Sequence, residues 1–146
     1  MCKQLRASAA GTSGTRALPW APRDDFAAWS AGVTARAQGL GIDAESALWL
    51  LRRHGNRVGQ VFGIVAATAQ RAARIVPEVP LIEADLLFCA QDEMVLHLSD
   101  LLRRRLPLLI LARLDEPTLR RCAEMIAPLL AWNAARIEQE VAACRA

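Results

Sequence analysis

The chain has 146 residues, of which 53% are apolar, and its formal net charge is +3. This length fits one ordinary domain, and the high apolar content excludes a globally disordered protein. Alanine and leucine dominate and tyrosine is absent, so the composition favours helices over sheets. The basic excess is almost entirely arginine. It permits an acidic partner without implying one, and solvated surface arginines are the preferred interpretation.

The cysteines and the apolar runs indicate an intracellular protein without a membrane span. Four cysteines lie far apart with no C-x-x-C pair, which indicates small apolar residues in a reducing compartment rather than a disulfide framework. No uninterrupted apolar run reaches the roughly 18 residues of a transmembrane helix, and no hydrophobic stretch follows Met1 to form a secretory signal. We therefore expect a cytoplasmic location.

The chain divides into a short lead and a helical domain. Residues 1–22 are rich in Ala, Ser, Gly and Thr and contain two prolines, which predicts a flexible lead and linker. Residues 23–146 form the predicted domain. Its first helix should begin after Asp24 as N-cap and end at Gly39 and Gly41. Its apolar stripe consists of Phe26, Trp29, Val33, Ala37 and Leu40.

A helical hairpin is predicted next. Asp43 suits the N-cap of a second helix, and Gly55 suits its left-handed end after His54. Asn56 can cap a third helix with the stripe Val58, Val61, Phe62, Val65 and Ala69. The hairpin can also be interpreted as a helix-turn-helix. Its second helix, however, offers only Arg57 to reach a phosphate or a base, so it is a poor recognition helix.

A fourth helical pattern follows a segment bracketed by prolines. Val76-Pro77 and Val79-Pro80 interrupt any helix. From Ile82 to about Arg104 two apolar stripes overlap, which indicates either a central, largely buried helix or two helices meeting at a bend. One stripe contains Leu87, Ala90, Met94, Leu98 and Leu101. Asp92 and Glu93 would lie near the edge of the core and need partners.

The last third of the chain predicts more helices. The apolar run from Leu106 to Leu114 could be a strand or a buried helix, and helix or irregular structure is favoured because no partner strand is evident. Asp115-Glu116-Pro117 should open a helix that Pro128 kinks or ends, and Asn133 should cap the last helix. The predicted fold is all-α, a small orthogonal helical bundle of about five to seven helices.

The sequence offers no recognisable catalytic, cofactor-binding or metal-binding residues. His54 and His97 are far apart, and neither has a neighbouring set of ligands. Glu93 and His97 are four apart, which favours an ordinary helix pair over a ligand pair. No G-x-S-x-G or G-x-G-x-x-G occurs, and no cysteine has a histidine nearby in the sequence.

Three consecutive arginines, Arg103-Arg104-Arg105, form the densest charge cluster. Asp100 precedes Arg103 and Arg104 by three and four residues, the favourable order for pairing on a helix. A structural role, capping a helix C-terminus and bridging to carboxylates, is favoured over ligand binding. We therefore predict a buried or interfacial charge network of Glu93, Asp100, Arg104 and Arg105.

Several motifs in this order resemble those of aerobic, FAD-dependent glycerol-3-phosphate dehydrogenases, in their C-terminal domain. The motifs are Thr15-Arg16-Ala17-Leu18-Pro19, Leu50-Leu51-Arg52-Arg53-His54-Gly55-Asn56-Arg57-Val58, the proline-bracketed segment followed by Glu83, the series Asp92-Glu93-Met94, Leu98, Asp100 and Arg104-Arg105, and finally Ala131-Trp132-Asn133 with Glu140-Val141. Ala131 stands where the family usually has glycine, and Cys144 where an aromatic residue is common.

The resemblance implies a helical module that packs against an N-terminal flavin domain. In that family the flavin domain holds FAD and glycerol 3-phosphate, and this chain contains neither that domain nor its G-x-G-x-x-G turn. No catalytic residue can therefore be carried over. The full family enzyme oxidises glycerol 3-phosphate to dihydroxyacetone phosphate, passes electrons to quinone, and is a peripheral membrane protein that is commonly dimeric. The alternative is a stand-alone basic module that binds nucleic acid.

Overall fold

The protein is all-α, as predicted. The computed structural model describes residues 18–19, 21–22 and 25–145, so most of the predicted lead at 1–22, and the predicted cap Asp24, lie outside the described residues. The helices are α1 (Phe26–Gly39), α2 (Ala44–His54), α3 (Val58–Ala67), α4 (Glu83–Asp92), α5 (Leu98–Asp100), α6 (Leu108–Leu111), α7 (Glu116–Leu130) and α8 (Ala134–Arg145). Within these ranges the only β pairing is an isolated bridge between Arg74 and Ile82.

Helix α2 begins and ends at the predicted residues, whereas the N-cap of α1 is Asp25, one residue after the predicted Asp24. Asp25 caps α1, and Asp43 caps α2 by accepting the backbone N–H groups of Glu45 and Ser46 at 3.1 and 3.0 Å. Gly55 has a positive φ of 53° and ends α2, as expected of a residue without Cβ. The predicted hairpin is therefore confirmed up to this turn.

The start of α3 differs from the prediction. A short 3₁₀ turn, Gly55–Arg57, leads directly into α3, so Asn56 is not its N-cap. The amide of Asn56 donates instead to the carbonyl of Ala21 at 2.6 Å, a tertiary contact that the local sequence does not reveal. The predicted stripe of α3 is buried through Val65, but Ala69 lies beyond the helix and is exposed.

The fourth helical pattern is two helices meeting at a bend. Helix α4 ends at Asp92, and Met94 has a positive φ of 49°. This backbone direction breaks the helix and turns the Met94 side chain outward, where it is 89% exposed, so its predicted place on the buried stripe is wrong. The chain resumes as α5, which continues as a π-helical turn, Leu101–Arg105.

The C-terminal segments follow the predicted signals closely. The run after Pro107 forms the single helical turn α6 rather than a strand. Asp115 caps α7 by accepting from the N–H of Thr118 at 3.0 Å, and Asn133 caps α8 by accepting from the N–H of Arg136 at 2.9 Å. Helix α7 continues for two residues beyond Pro128 and ends at a left-handed residue, Ala131.

Helix α4 is the centre of the domain. Seven of its ten residues are buried, and it packs against α3 on one side and α7 on the other. Helix α7 packs in turn on α8, and α1 packs on α2. None of the helices in the described part of the chain has the length and apolar character needed to cross a lipid bilayer. Because α4 is buried on most sides, any charged residue on it needs partners on the neighbouring elements.

Candidate functional site

Three carboxylates are buried among the residues that the structure describes. Glu83 and Asp85 lie in the first turn of α4, and Glu140 lies on α8. Asp85 is fully buried, and the other two residues expose less than a tenth of their surface. Because a buried charge without partners is very costly, each of these residues must be paired.

Asp85 lies in a cluster that joins α2 to α4. Its Oδ1 accepts a hydrogen bond from Nε2 of His54 at 2.7 Å, and Cys89 Sγ lies 3.5 Å from the same oxygen. Arg53 donates to Cys89 Sγ at 3.2 Å and places its Nε 3.7 Å from Asp85 Oδ2. His54 and Cys89 are also buried. No cysteine has a histidine nearby in the sequence, but helix packing closes a gap of 35 residues and brings Cys89 close to His54.

Within the part of the chain that the structure describes, this cluster groups three side chains that are potential metal ligands. The ligand atoms of His54, Asp85 and Cys89 lie within 4.8 Å of one another, which is close enough for a metal ion. However, the guanidinium of Arg53 supplies the positive charge at this point. Burial, followed by the charge of Asp85, raises the pKa of the Cys89 thiol well above its ordinary value, so a free thiolate nucleophile is disfavoured. The cluster is a charge-compensated contact between helices.

An aromatic ring and a second acid complete the edge of this cluster. Phe88 packs edge-on against the ring of His54, with 4.9 Å between centroids, and the guanidinium of Arg57 lies 4.8 Å above its centroid. Glu93 lies 3.8 Å from Arg53. The predicted need of Glu93 for a partner is thereby met, and Arg53 is shared between two carboxylates.

Glu83 joins α4 to α7 and to the 3₁₀ turn that follows α3. Its two oxygens accept hydrogen bonds from Arg71 and Arg121, each at 2.8 Å. Arg121 also donates to the backbone carbonyl of Ile75, in the proline-bracketed segment. One buried carboxylate therefore connects α4 and α7 with the segment that precedes α4.

Glu140 joins α8 to the start of α5. One oxygen accepts the backbone N–H of Leu98 at 2.7 Å, and the other lies 3.0 Å from Nδ1 of His97 and 2.7 Å from Arg136. His97 occupies the N-cap position of α5, but its side chain does not cap the helix. Glu140, on another helix, supplies the capping oxygen instead. The predicted pairing of His97 with Glu93 is wrong because the bend at Met94 separates them.

The four residues predicted as one charge network do not form one: three of them lie in two separate pairs, and Arg105 is in neither. Asp100 pairs with Arg104 at 3.4 Å, and Glu93 pairs with Arg53, which was not part of the predicted network. The side chain of Arg104 is 78% exposed, so its pair lies on the surface. A role for these residues in contact with another domain stays a prediction.

An arginine-rich groove lies between α2 and the π-helical turn. Its volume is about 400 Å³, and its lining includes no carboxylate. The lining residues are Trp49, Arg52, Arg53, Arg104, Arg105 and Pro107. The groove brings together two arginine pairs that are about 50 residues apart in the sequence, at Arg52 and Arg104.

Sequence periodicity did not identify Asp85 or His54 as partners. Periodicity reports which face of a helix is buried, and a charged residue on a buried face looks like an interruption of the stripe. The motifs shared with the resembled family contained the better signal, since Arg53, His54, Glu83 and Glu140 all fall within them. Those motif positions are the residues that pair across helices.

Comparison with known proteins gives a consistent family. Residues 14–137 match the family described as the C-terminal domain of alpha-glycerophosphate oxidase. Over 94 residues the chain is 32% identical to proteins named Glycerol-3-phosphate dehydrogenase 2 from Mycobacterium bovis and Mycobacterium tuberculosis. That alignment covers 64% of this chain and 16% of each relative, so the chain spans a small part of their length, and no solved structure matches it. The chain belongs to the family of C-terminal domains of alpha-glycerophosphate oxidase.

Proposed function

We propose that this chain is the helical accessory domain of an FAD-dependent glycerol-3-phosphate dehydrogenase. The observation that carries the proposal is the match over residues 14–137 to a family of C-terminal domains. In the proposed enzyme, a separate N-terminal domain binds FAD, oxidises glycerol 3-phosphate to dihydroxyacetone phosphate and passes two electrons to quinone. On this proposal, the chain is a fragment, a split subunit or an excised piece of that enzyme.

FAD itself does not fit this chain. The buried carboxylates of the described residues each have partners within the domain, as at Asp85 and Glu140. The whole sequence also lacks the G-x-G-x-x-G turn that brings a helix N-terminus to a pyrophosphate. The contribution of this chain is therefore packing and positioning, and the redox chemistry belongs to the partner domain. The family match does not favour the alternative of a stand-alone nucleic-acid-binding module.

Exposed apolar side chains support a partner domain. Met94 and Leu96, in the connection between α4 and α5, are 89% and 71% exposed, and Ile110 and Leu111 on α6 are 68% and 51% exposed. Leu111 also lines a shallow hollow together with Leu48 of α2. Large exposed apolar side chains are typical of an interface where they form a patch, as Leu48 and Leu111 do at this hollow. These residues are the proposed contacts with the flavin domain.

The test is reconstitution with a flavin-containing N-terminal fragment of an enzyme of this family. We expect the two chains to elute together on size exclusion, and we expect the mixture to reduce a quinone analogue with glycerol 3-phosphate faster than the fragment alone. A variant carrying Ile110→Asp and Leu111→Asp should lose both effects, while Leu129→Asp, an exposed leucine on α7, should keep them. No complex and no gain in rate would overturn the proposal.

The finer features of the proposed enzyme have their own measurements. The quinone acceptor is distinguished from an oxidase reaction by the hydrogen peroxide that only the latter releases. A cytoplasmic, membrane-peripheral location predicts that the reconstituted enzyme is released from membranes by salt rather than by detergent alone. A homodimer predicts twice the mass of the reconstituted pair in light scattering.

A further inference from the structure

The arginine groove carries more positive charge than the domain neutralises. Arg53 is compensated by Asp85 and Glu93, and Arg104 pairs with Asp100. Among the residues that the structure describes, no carboxylate lies within ion-pair distance of Arg52 or Arg105. Two of the four guanidinium groups that line the groove are therefore available to an anion.

The backbone holds these arginines on two separate supports. Arg52 and Arg53 occupy the last turn of α2, which packs on α1. Arg104 and Arg105 occupy the π-helical turn, whose wide ring is closed by the N–H of Leu106 donating to the carbonyl of Leu101 at 2.7 Å. Turns of this kind are inserted into helices at a cost and recur at functional sites. The two supports face one groove, so two arginine pairs that are distant in the sequence line the same space.

The geometry points to a phosphate-binding site in this groove. A guanidinium group offers paired N–H donors that match two oxygens of a phosphate, and a phosphate monoester carries enough charge for several arginines. The volume of about 400 Å³ is within the range of small-molecule sites. Trp49 and Pro107 supply an apolar wall beside the arginines, which suits the carbon skeleton attached to the phosphate. The ligand is a phosphate monoester, either free in solution or as the headgroup of a lipid.

The test is calorimetric titration of the full chain with inorganic phosphate and with glycerol 3-phosphate at constant ionic strength. Glycerol is the uncharged control. We expect saturable binding of both phosphates and no binding of glycerol. A second arm measures cosedimentation with vesicles of phosphatidylcholine, with or without phosphatidic acid. Binding of free glycerol 3-phosphate identifies a soluble ligand, whereas binding confined to phosphatidic acid vesicles identifies a lipid headgroup, and either result supports the site.

The variants separate a built site from general attraction to positive charge. Arg52→Gln with Arg105→Gln removes the two uncompensated guanidinium groups and should weaken binding about tenfold or more. Arg103→Gln with Arg113→Gln removes the same charge from exposed positions outside the groove and should change affinity by less than about twofold. Thermal melts confirm folding, and Arg105→Gln alone replaces the double variant if that one is unfolded.

Two results overturn the inference. The first is the absence of saturable binding to either phosphate and to phosphatidic acid vesicles. The second is equal weakening in the groove variant and in the control variant, which would show that net charge alone attracts the anion. Neither result depends on a flavin domain, because every titration uses this chain alone.

Discussion

Replacing Asp85 with asparagine tests whether the cluster between α2 and α4 stabilises the domain as an ion pair. The side chain is fully buried, and its two oxygens face different partners. Oδ1 accepts from His54 at 2.7 Å, while Oδ2 faces Arg53 Nε at 3.7 Å. Asparagine has nearly the same shape, so it removes the charge while leaving the packing of α4 unchanged.

The expected loss follows from what asparagine can still do. Its carbonyl oxygen can accept the hydrogen bond from His54, so that contact survives. Its amide group would face Arg53, so two donors would meet and the guanidinium would keep only Glu93, at 3.8 Å. Breaking a buried ion pair by removing one partner costs about 3–5 kcal/mol, and here the pair of Arg53 Nε with Asp85 Oδ2 spans 3.7 Å without a hydrogen bond. Because the hydrogen bond from His54 and the pair of Arg53 with Glu93 remain, we expect the free energy of unfolding to fall by about 2–4 kcal/mol.

The assay is urea unfolding followed by far-ultraviolet circular dichroism, with the slope of the transition checked for constancy. Asp92→Asn is the matched control, since it makes the same change on the same helix at a partly exposed pair, 3.9 Å from Arg57. That control should lose less than about 1 kcal/mol. If Asp85→Asn cost no more than Asp92→Asn, the buried ion pair would contribute nothing and this account of the cluster would be refuted.

Three further predictions concern backbone strain, pH and a surface pair. Ala131 ends α7 with a φ of +54°, so Ala131→Gly should raise the free energy of unfolding by about 0.5–1 kcal/mol, whereas Ala142→Gly inside α8 should lower it by a similar amount in urea titrations. A hydrogen bond from Arg74 holds the pKa of Asp43 well below its usual range. This stabilisation is present above the unfolded pKa of about 4 and is lost as the pH falls towards the folded value, so Asp43→Asn should lose less stability than the wild type in acid melts. Arg104→Ala should cost less than about 1 kcal/mol, because its pair with Asp100 is largely exposed; a larger loss in chemical unfolding would restore the predicted network.

The local signals in the sequence predicted the helices well. Asp43, Asp115 and Asn133 each cap a helix as expected, because an N-cap depends on a side chain reaching an N–H two or three residues away. The bend at Met94 was predicted only as one of two alternatives. Its left-handed backbone interrupts a stripe that is apolar on both sides, and nothing in the local pattern distinguishes a continuous helix from a broken one.

The charged contacts could not be predicted in the same way, because each depends on the packing of distant helices. Asn56 is a good N-cap by residue type, yet its amide donates to Ala21, 35 residues earlier in the chain. Glu140 likewise caps the N-terminus of α5 across 42 residues. The energy of such contacts comes from the tertiary arrangement, which local propensity does not contain.

Each buried carboxylate joins a different pair of helices, and this division has a physical consequence. Asp85 joins α2 to α4, Glu83 joins α4 to α7, and Glu140 joins α8 to α5. Apolar packing alone would allow these helices to slide by a turn at modest cost, because leucine and alanine stripes are similar along their length. A slide would leave a buried carboxylate without its arginine or histidine, which costs several kcal/mol for each pair. Three such pairs at three separate contacts therefore favour one register of the helices. The arginine groove and the exposed apolar residues of α6 need that single register in order to present a constant surface.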